Sequence, residues 1–185
     1  MIKEYSLQIL EELKERIETF DDAQLVRAAD MIDAAPAVYF AGMGRSRLFI
    51  MSFCMRLMHL GLKCYMVGDV TTPAIQKGDL LVIGSGSGET ESLVAMARKA
   101  KGLGIDILLF TSAKESSLAS LADCIFRIDG PSSKLKEQSQ VKSIQPMGSL
   151  FEQGCLFAYE GIMVYLMHKH HTNGDEMFKR HANLE

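Results

Sequence analysis

The chain has 185 residues, of which 48% are hydrophobic and 23% are charged, and its formal net charge at pH 7 is −3. This length and composition are typical of one folded domain with a sizeable core. A slightly acidic chain without a long apolar run is not expected to bind nucleic acid or to enter a membrane.

Two amphipathic helices are predicted first, over residues 2–20 and 22–34. They form a helical extension (residues 1–35) to an α/β core (residues 36–185) with a C-terminal tail that we expect to be docked, and the whole chain is one domain. The core's predicted strands are 37–41, 63–67, 79–84, 105–111 and 124–128, and its predicted helices are 45–61, 90–103, 115–122 and 149–170. A polar loop over residues 129–145 precedes the last helix. Because strands and helices alternate, we predict an α/β fold: a three-layer αβα sandwich around a mainly parallel five-stranded sheet.

The four cysteines show no CxxC spacing, and three of them lie in apolar segments. Free buried thiols are therefore expected rather than disulfides, which fits a reducing compartment. Since the first residues contain no apolar signal segment, a cytoplasmic location is predicted.

The most informative motif is the turn at residues 84–90, with the sequence GSGSGET, between a strand-like run and a helical pattern. Glycines let the backbone approach an anion, and free N–H groups at a helix start point toward it. The hydroxyls of Ser85, Ser87 and Thr90 add uncharged donors. We interpret the turn as a phosphate site; the alternative is a flexible glycine–serine turn. It is not a nucleotide P-loop, because Glu89 stands where that motif has a lysine.

A second glycine-rich turn, residues 42–47 with the sequence GMGRSR, also follows a strand-like run. It is like the dinucleotide fingerprint until Arg47 replaces the third glycine. Two such turns would meet at the carboxyl ends of neighbouring parallel strands, where open α/β sheets bind ligands. Ser46 thereby becomes a fourth candidate for binding phosphate.

A candidate base lies at the start of the last predicted helix. Ser149 and Glu152 have the S-x-x-E spacing of a capping box, so Glu152 is either a helix cap or a functional carboxylate. A carboxylate in the first turn of a helix stays ionised, and it could remove a proton from a carbon next to a carbonyl. Spacing does not choose between the two interpretations.

Other charged residues carry weaker signals. Three interpretations of Arg45 are open: it binds phosphate, it stabilises an enediolate, or it is an ordinary surface arginine. The same alternatives apply to Lys142. The histidine-rich run at residues 168–171 is interpreted as a solvated helix end rather than a metal site, because no carboxylate or thiolate ligands lie near it in sequence. His59, in an apolar helix, is interpreted as a core residue. No metal is expected.

Five segments together resemble a known family. They are Gly42–Ser46, Met55–Gly61, Ser85–Thr90, Gln145–Glu152 and Arg180–Glu185. The two glycine-rich turns are similar to those of the SIS (sugar isomerase) domain, which has a flavodoxin-like fold. The other three segments narrow the resemblance to the 6-phospho-3-hexuloisomerases within that family, and the resemblance covers nearly the whole chain.

This resemblance implies roles for particular residues. The substrate phosphate would be held by the hydroxyls of Ser46, Ser85, Ser87 and Thr90. Glu152 would be the catalytic base, and His181 is a candidate second acid or base. Further contacts with the substrate or the enediolate are expected at Gly44, Arg45, Gly86 and Gly88. Arg47 departs from the family's pattern, since a small residue is expected there. The sequence therefore does not determine the shape of the pocket near Arg47.

The implied reaction interconverts D-arabino-3-hexulose 6-phosphate and fructose 6-phosphate through an enediolate, with neither metal nor redox cofactor. It belongs to the ribulose monophosphate pathway of formaldehyde assimilation and detoxification, where the chain would be coupled to 3-hexulose-6-phosphate synthase. The resemblance also implies a homo-oligomer, commonly a tetramer, with active sites near subunit contacts. The apolar faces of the two N-terminal helices are candidates for these contacts.

Two alternatives remain open from the sequence. One is an isomerase of another sugar phosphate, such as arabinose 5-phosphate. The other is a non-catalytic SIS domain that senses a sugar phosphate. Sensors of this kind often carry a DNA-binding domain, for which the chain is too short and insufficiently basic.

Overall fold

The computed structural model describes residues 1–131 and 141–184. Over these residues the strands are β1 (Val38–Gly42), β2 (Cys64–Met66), β3 (Leu80–Gly84), β4 (Asp106–Thr111) and β5 (Cys124–Arg127). The helices are α1 (Ile2–Ile17), α2 (Asp22–Ala34), α3 (Gly44–Leu60), α4 (Glu91–Gly102), α5 (Ser149–Lys169) and α6 (Gly174–Phe178). Part of the predicted polar loop, residues 132–140, and the terminal residue of the predicted tail lie outside the described residues.

The five strands form one sheet in the order β2-β1-β3-β4-β5, and every neighbouring pair is parallel. The predicted fold is confirmed by this order, which is the flavodoxin-like one. The chain leaves β1 toward one edge of the sheet and returns at β3 on the other side of β1. Ligands bind at such a switch point, and here Gly42 at the end of β1 pairs in register with Gly84 at the end of β3.

The central strands are buried on both faces, which is why β1 and β3 are continuous apolar runs. One face of the sheet packs against α2, α3, α5 and α6, and the opposite face against α4 and the turns near Leu118. Phe53 of α3 and Tyr159 of α5 stack with ring centroids 4.6 Å apart, and Phe110 of β4 packs edge-on against Tyr159. These aromatic contacts hold α3 and α5 side by side over the sheet.

The predicted helix at 115–122 is wrong: this segment is a series of turns. Some of its backbone N–H groups bond to the glycine-rich turn rather than within a helix. Leu118 N donates to Gly88 O at 3.1 Å, and Ser117 N donates to a carboxylate oxygen of Glu89 at 2.7 Å. Tertiary contacts therefore replace a helix too short to be stable alone.

The N-terminal helices differ in their use. Ala28, Ala29 and Ile32 of α2 are buried in the main core, so the apolar face of α2 is used within the subunit. By contrast, α1 packs on α5 and buries only Leu13, while side chains such as Leu10 stay exposed. None of the helices in the described part of the chain is long and apolar enough to cross a membrane.

Candidate active site

A cavity of about 180 Å³ opens at the carboxyl ends of β1 and β3, where three helices begin. The residues that precede α3, α4 and α5 are Met43, Thr90 and Gly148, and none makes a side-chain capping hydrogen bond. By contrast, Asp21 and Asn173 cap α2 and α6 with their side chains. No side-chain cap therefore occupies the first N–H groups of these three helices, which begin around one cavity. Uncapped N–H groups at helix starts favour the binding of an anion.

The hydroxyl-rich turn forms one wall of the cavity, as the sequence predicted. Ser85 Oγ accepts a hydrogen bond from Gly88 N at 3.2 Å, and Ser87 Oγ accepts one from Glu89 N at 3.3 Å. Because these oxygens act as acceptors inside the turn, their own hydrogens can donate into the cavity. Thr90 and Ser46 also line the cavity, so the four predicted phosphate hydroxyls surround the same space.

Two glycines of this turn lie where a side chain would crowd its neighbours. Gly88 has a φ of +65°, and a Cβ atom there would lie 2.1 Å from Ser116 Oγ. A Cβ atom at Gly86 would lie 3.2 Å from the ring of Phe151. The turn is thus pressed between the segment near Ser116 and the start of α5, and its shape exists before any ligand arrives.

Two residues at the carboxyl end of β4 hold the turn by hydrogen bonds, and the sequence analysis did not identify them. Ser112 N and Ser112 Oγ donate to Gly86 O at 3.1 and 2.8 Å, and Thr111 Oγ1 donates to it at 3.2 Å. Ser112 also lines the cavity, together with Phe151 and Pro131. The available signal was the pair of hydroxyl residues at the carboxyl end of the strand beside β3.

Glu152 lines the same cavity as the hydroxyl turn and forms an ion pair with Arg45 at 2.5 Å. The Glu152 side chain is 14% exposed and that of Arg45 is 43% exposed. The capping box is not formed: Gly148 precedes the helix, Ser149 is its first residue, and no side chain caps it. Arg45 in turn lies 4.9 Å from the ring centroid of Phe49, which holds the guanidinium beside the carboxylate.

The first turn of α3 brings Gly44, Arg45 and Ser46 to the cavity side of β1. Gly44 has a φ of +57°, and a Cβ atom at Gly42 would lie 3.1 Å from the Arg47 Cα atom. The Arg47 guanidinium donates to Val67 O at 3.0 Å and pairs with Asp69 at 3.1 Å. Arg47 therefore fastens the β2–β3 connection and does not line the cavity.

His181 lies in a different place from Glu152. Its ring stacks on His59 with centroids 5.3 Å apart, and both line a second cavity of about 240 Å³ beside Arg56 and Glu160. Arg180 Nη1 donates to His59 O at 3.1 Å, so the tail docks on the end of α3. Burial, and then the nearby charge of Arg56, lower the pKa of His59. Within one subunit, the two predicted acid–base residues line separate cavities.

The histidine-rich helix end is not simply solvated. Lys169 pairs with Asp30 and Asp33 at 2.8 and 3.0 Å, and His170 pairs with Asp33 at 2.5 Å, which fastens the end of α5 to α2. Lys142 is exposed and does not line the first cavity. Over the described ranges, no three His, Cys, Asp or Glu residues are grouped so as to hold a metal ion.

Comparisons with known proteins show the family of the chain. The family described as the SIS domain matches residues 31–155. The chain is 43% identical over 182 residues to the 3-hexulose-6-phosphate isomerase of Bacillus subtilis, covering 98% of each chain. It is 38% identical over 177 residues to that of Mycobacterium gastri, covering 96% of this chain and 88% of the relative.

A solved structure gives the same result. A protein from Methanococcus jannaschii, for which a molecular function of 3-hexulose-6-phosphate isomerase was inferred, matches with a TM-score of 0.82 at 34% identity. The match covers 98% of this chain and 97% of that one. The shared fold therefore extends over the N-terminal helices and the tail as well as the α/β core.

Proposed function

Because the chain belongs to the SIS domain family, as its sequence predicted, we propose that it interconverts D-arabino-3-hexulose 6-phosphate and fructose 6-phosphate. The observation that carries this proposal is that one cavity holds both a phosphate-binding turn and a carboxylate. Four hydroxyls and the starts of α3 and α4 line it, and so does Glu152 in the first turn of α5, whose carboxylate pairs with Arg45. The relatives that carry the isomerase name match almost the full chain, which supports the same substrate.

The phosphate of the substrate binds the hydroxyl turn. Ser85, Ser87 and Thr90 donate hydrogen bonds, and the N–H groups at the start of α4 add partial positive charge. Ser46 contributes from the first turn of α3. Since the turn is already shaped by Gly86 and Gly88, little ordering is required when the phosphate arrives.

Glu152 acts as the base. It removes the proton from C2 of the hexulose, which leaves an enediolate across C2 and C3, and a proton returned to C3 gives the 2-ketose. The hydroxyl proton of O2 leaves and O3 gains one, so the two sugars are isomers. Arg45 stabilises the negative oxygen that develops in between, because it already lies beside the carboxylate.

The second acid or base is His181 supplied by a partner subunit. Helix α3 joins the two cavities: Arg45 and Ser46 are in its first turn and His59 is in its last. Its exposed apolar residues are evenly spaced between these ends: Leu48, Met51, Met55 and Met58. Two copies packed antiparallel on this face would place the His59–His181 end of one subunit beside the Glu152 cavity of the other.

The wider setting follows from the same proposal. The protein is a homo-oligomer, a tetramer in the form implied by its family, and it works in the cytoplasm on a phosphorylated sugar. It takes its substrate from 3-hexulose-6-phosphate synthase in the ribulose monophosphate pathway, which removes formaldehyde. The exposed apolar residues of α1, such as Leu10, supply a second contact between subunits.

The decisive experiment is an assay of the purified protein against a panel of sugar phosphates. We expect the highest kcat/KM with D-arabino-3-hexulose 6-phosphate, and fructose 6-phosphate as its product. Arabinose 5-phosphate belongs to the panel because it represents the alternative substrate class. Faster turnover of arabinose 5-phosphate, or binding without turnover of any sugar in the panel, would overturn the proposal.

A further inference from the structure

The carboxylate of Glu12 connects helix α1 to the segment that precedes α5. Glu12 accepts hydrogen bonds from Ser143 Oγ at 2.6 Å, from Ile144 N at 2.8 Å and from Gln145 Nε2 at 3.0 Å. Three successive residues, more than a hundred positions away in the chain, thus converge on one side chain. Gln145 is buried although it is polar, and Glu12 is the partner that its amide finds there.

The segment held by Glu12 leads directly to Glu152. From Gln145 the chain passes through Met147, whose φ of +52° is unusual for a residue with a side chain, and then begins α5. Such a conformation persists only when the surrounding structure fixes it. Among the described residues, the hydrogen bonds that tie residues 143–145 to another element end on Glu12.

Helix α1 is itself fixed to α5. Its buried residue Leu13 follows Glu12, and α1 packs along the α5 surface. The Glu12 carboxylate therefore connects the body of α5 to the segment that enters it. Gly148, at the end of that segment, and Glu152 both line the first cavity.

We propose that Glu12 is a positioning residue for the reaction, which fixes the start of α5 so that the Glu152 carboxylate faces the hydroxyl turn. This inference rests on the proposed role of Glu152 as the base. Glu12 touches neither the cavity nor the substrate, and it acts through the segment at residues 143–148. The hydrogen bonds that it accepts also hold the pKa of Glu12 below its ordinary value, although burial alone would raise it.

Steady-state kinetics of Glu12→Ala give the first test. A displacement of about 1 Å at a reacting group can cost roughly 100-fold in rate, so we expect kcat to fall by about 10-fold or more. KM changes little, because the hydroxyl turn is untouched. Glu12→Gln keeps one acceptor oxygen and should retain an intermediate rate. Glu15→Ala, at an exposed position of the same helix, is the matched control and should leave both parameters unchanged.

A double-mutant cycle separates positioning from general destabilisation. If Glu12 acts through Glu152, adding Glu12→Ala to Glu152→Gln lowers the remaining kcat no further. A wild-type kcat in Glu12→Ala, or the same fold loss with and without Glu152, would overturn the proposal.

Hydrogen exchange provides a readout that does not depend on the substrate. In Glu12→Ala, or in Glu12→Gln if the alanine variant does not fold, we expect faster exchange of the amides of residues 144–149 and unchanged exchange in residues 84–90. Unchanged exchange at 144–149 would refute the role of Glu12, whatever the reaction is. If exchange rises at residues 144–149 but Glu152→Gln isomerises normally, Glu152 is not the base. Glu12 would then fix the start of α5 without positioning a catalytic group.

Discussion

Arg45 and Glu152 are 107 positions apart in the chain and form an ion pair at 2.5 Å between the first turns of α3 and α5. Each residue stands at the start of a helix that faces the hydroxyl turn. The pair fixes the direction of a carboxylate that could otherwise rotate, and in the proposed mechanism its guanidinium stabilises the negative oxygen of the enediolate.

The pair predicts that Arg45 contributes to turnover and that its neighbour Arg47 does not. Arg45→Ala should lower kcat by roughly 100-fold, the usual effect of removing one donor to a developing oxyanion. Arg47→Ala is the matched control, since its guanidinium bonds to Val67 and Asp69 outside the cavity. Equal losses of kcat in the two variants, measured at saturating substrate, would contradict this assignment.

Removal of a hydroxyl from the turn should weaken binding more than turnover. Ser87→Ala loses one neutral hydrogen bond to phosphate, worth roughly 0.5–1.5 kcal/mol, so affinity should fall about several-fold. Titration calorimetry with fructose 6-phosphate measures this directly. Ser120→Ala, in the exposed turns outside the cavity, should bind like the wild type. Unchanged affinity after Ser85, Ser87 and Thr90 are all replaced by alanine would move the phosphate elsewhere.

The sequence predicted the sheet well because its strands are buried on both faces and therefore read as continuous apolar runs. It also identified both glycine-rich turns, since each follows such a run directly. The segment at 115–122 was predicted wrongly because the amides of Ser117 and Leu118 bond to Glu89 and Gly88, and no local pattern encodes partners so distant.

The same limit applies to the cavity. Ser46, Ser85, Ser87, Thr90 and Glu152 were predicted from local motifs, and all of them line one space. Ser112 and Glu12 were not identified, because their importance lies in contacts with Gly86 and with residues 143–145. Spacing left Glu152 undecided between cap and base; its partner Arg45 became visible only in three dimensions. The roles in catalysis remain predictions.

Association between subunits can be tested on two faces. Leu10 of α1 and Met55 of α3 are 55% and 44% exposed although both are apolar. We predict a tetramer by light scattering, and smaller species for Leu10→Glu or Met55→Glu, because a charge in an apolar contact is costly. Gln8→Glu, also exposed on α1, is the control and should not alter the assembly. A monomeric wild-type protein at roughly micromolar concentration, where stable interfaces persist, would exclude the assembly.

The ion pairs between the end of α5 and Asp33 of α2 should make the free energy of unfolding depend on pH. Burial raises the pKa of Asp33, but the hydrogen bonds from Lys169 and His170 outweigh this and leave it below its ordinary value. Because the folded pKa is depressed, the stabilisation is present above the unfolded pKa and is lost as pH falls through the folded one. Asp33→Asn should therefore cost roughly 1 kcal/mol at pH 7.

This cost should begin to shrink at about pH 4, where the unfolded carboxylate takes up a proton, and should vanish once the pH lies below the lower folded pKa. Urea denaturation of the two proteins at several pH values measures the difference. If the cost of Asp33→Asn stayed the same at the lowest pH measured, packing and not charge would hold these two helices together.

The rate of Glu152→Gln on D-arabino-3-hexulose 6-phosphate tests the central claim most directly. The glutamine can still accept a hydrogen bond from Arg45, so the melting temperature and the affinity for fructose 6-phosphate should change little, as they should in the exposed control Glu15→Gln. Turnover should fall by roughly 10²–10⁴, the usual contribution of general acid–base catalysis. A rate near that of the wild type would contradict the account, and the base would then be sought elsewhere, with His181 first.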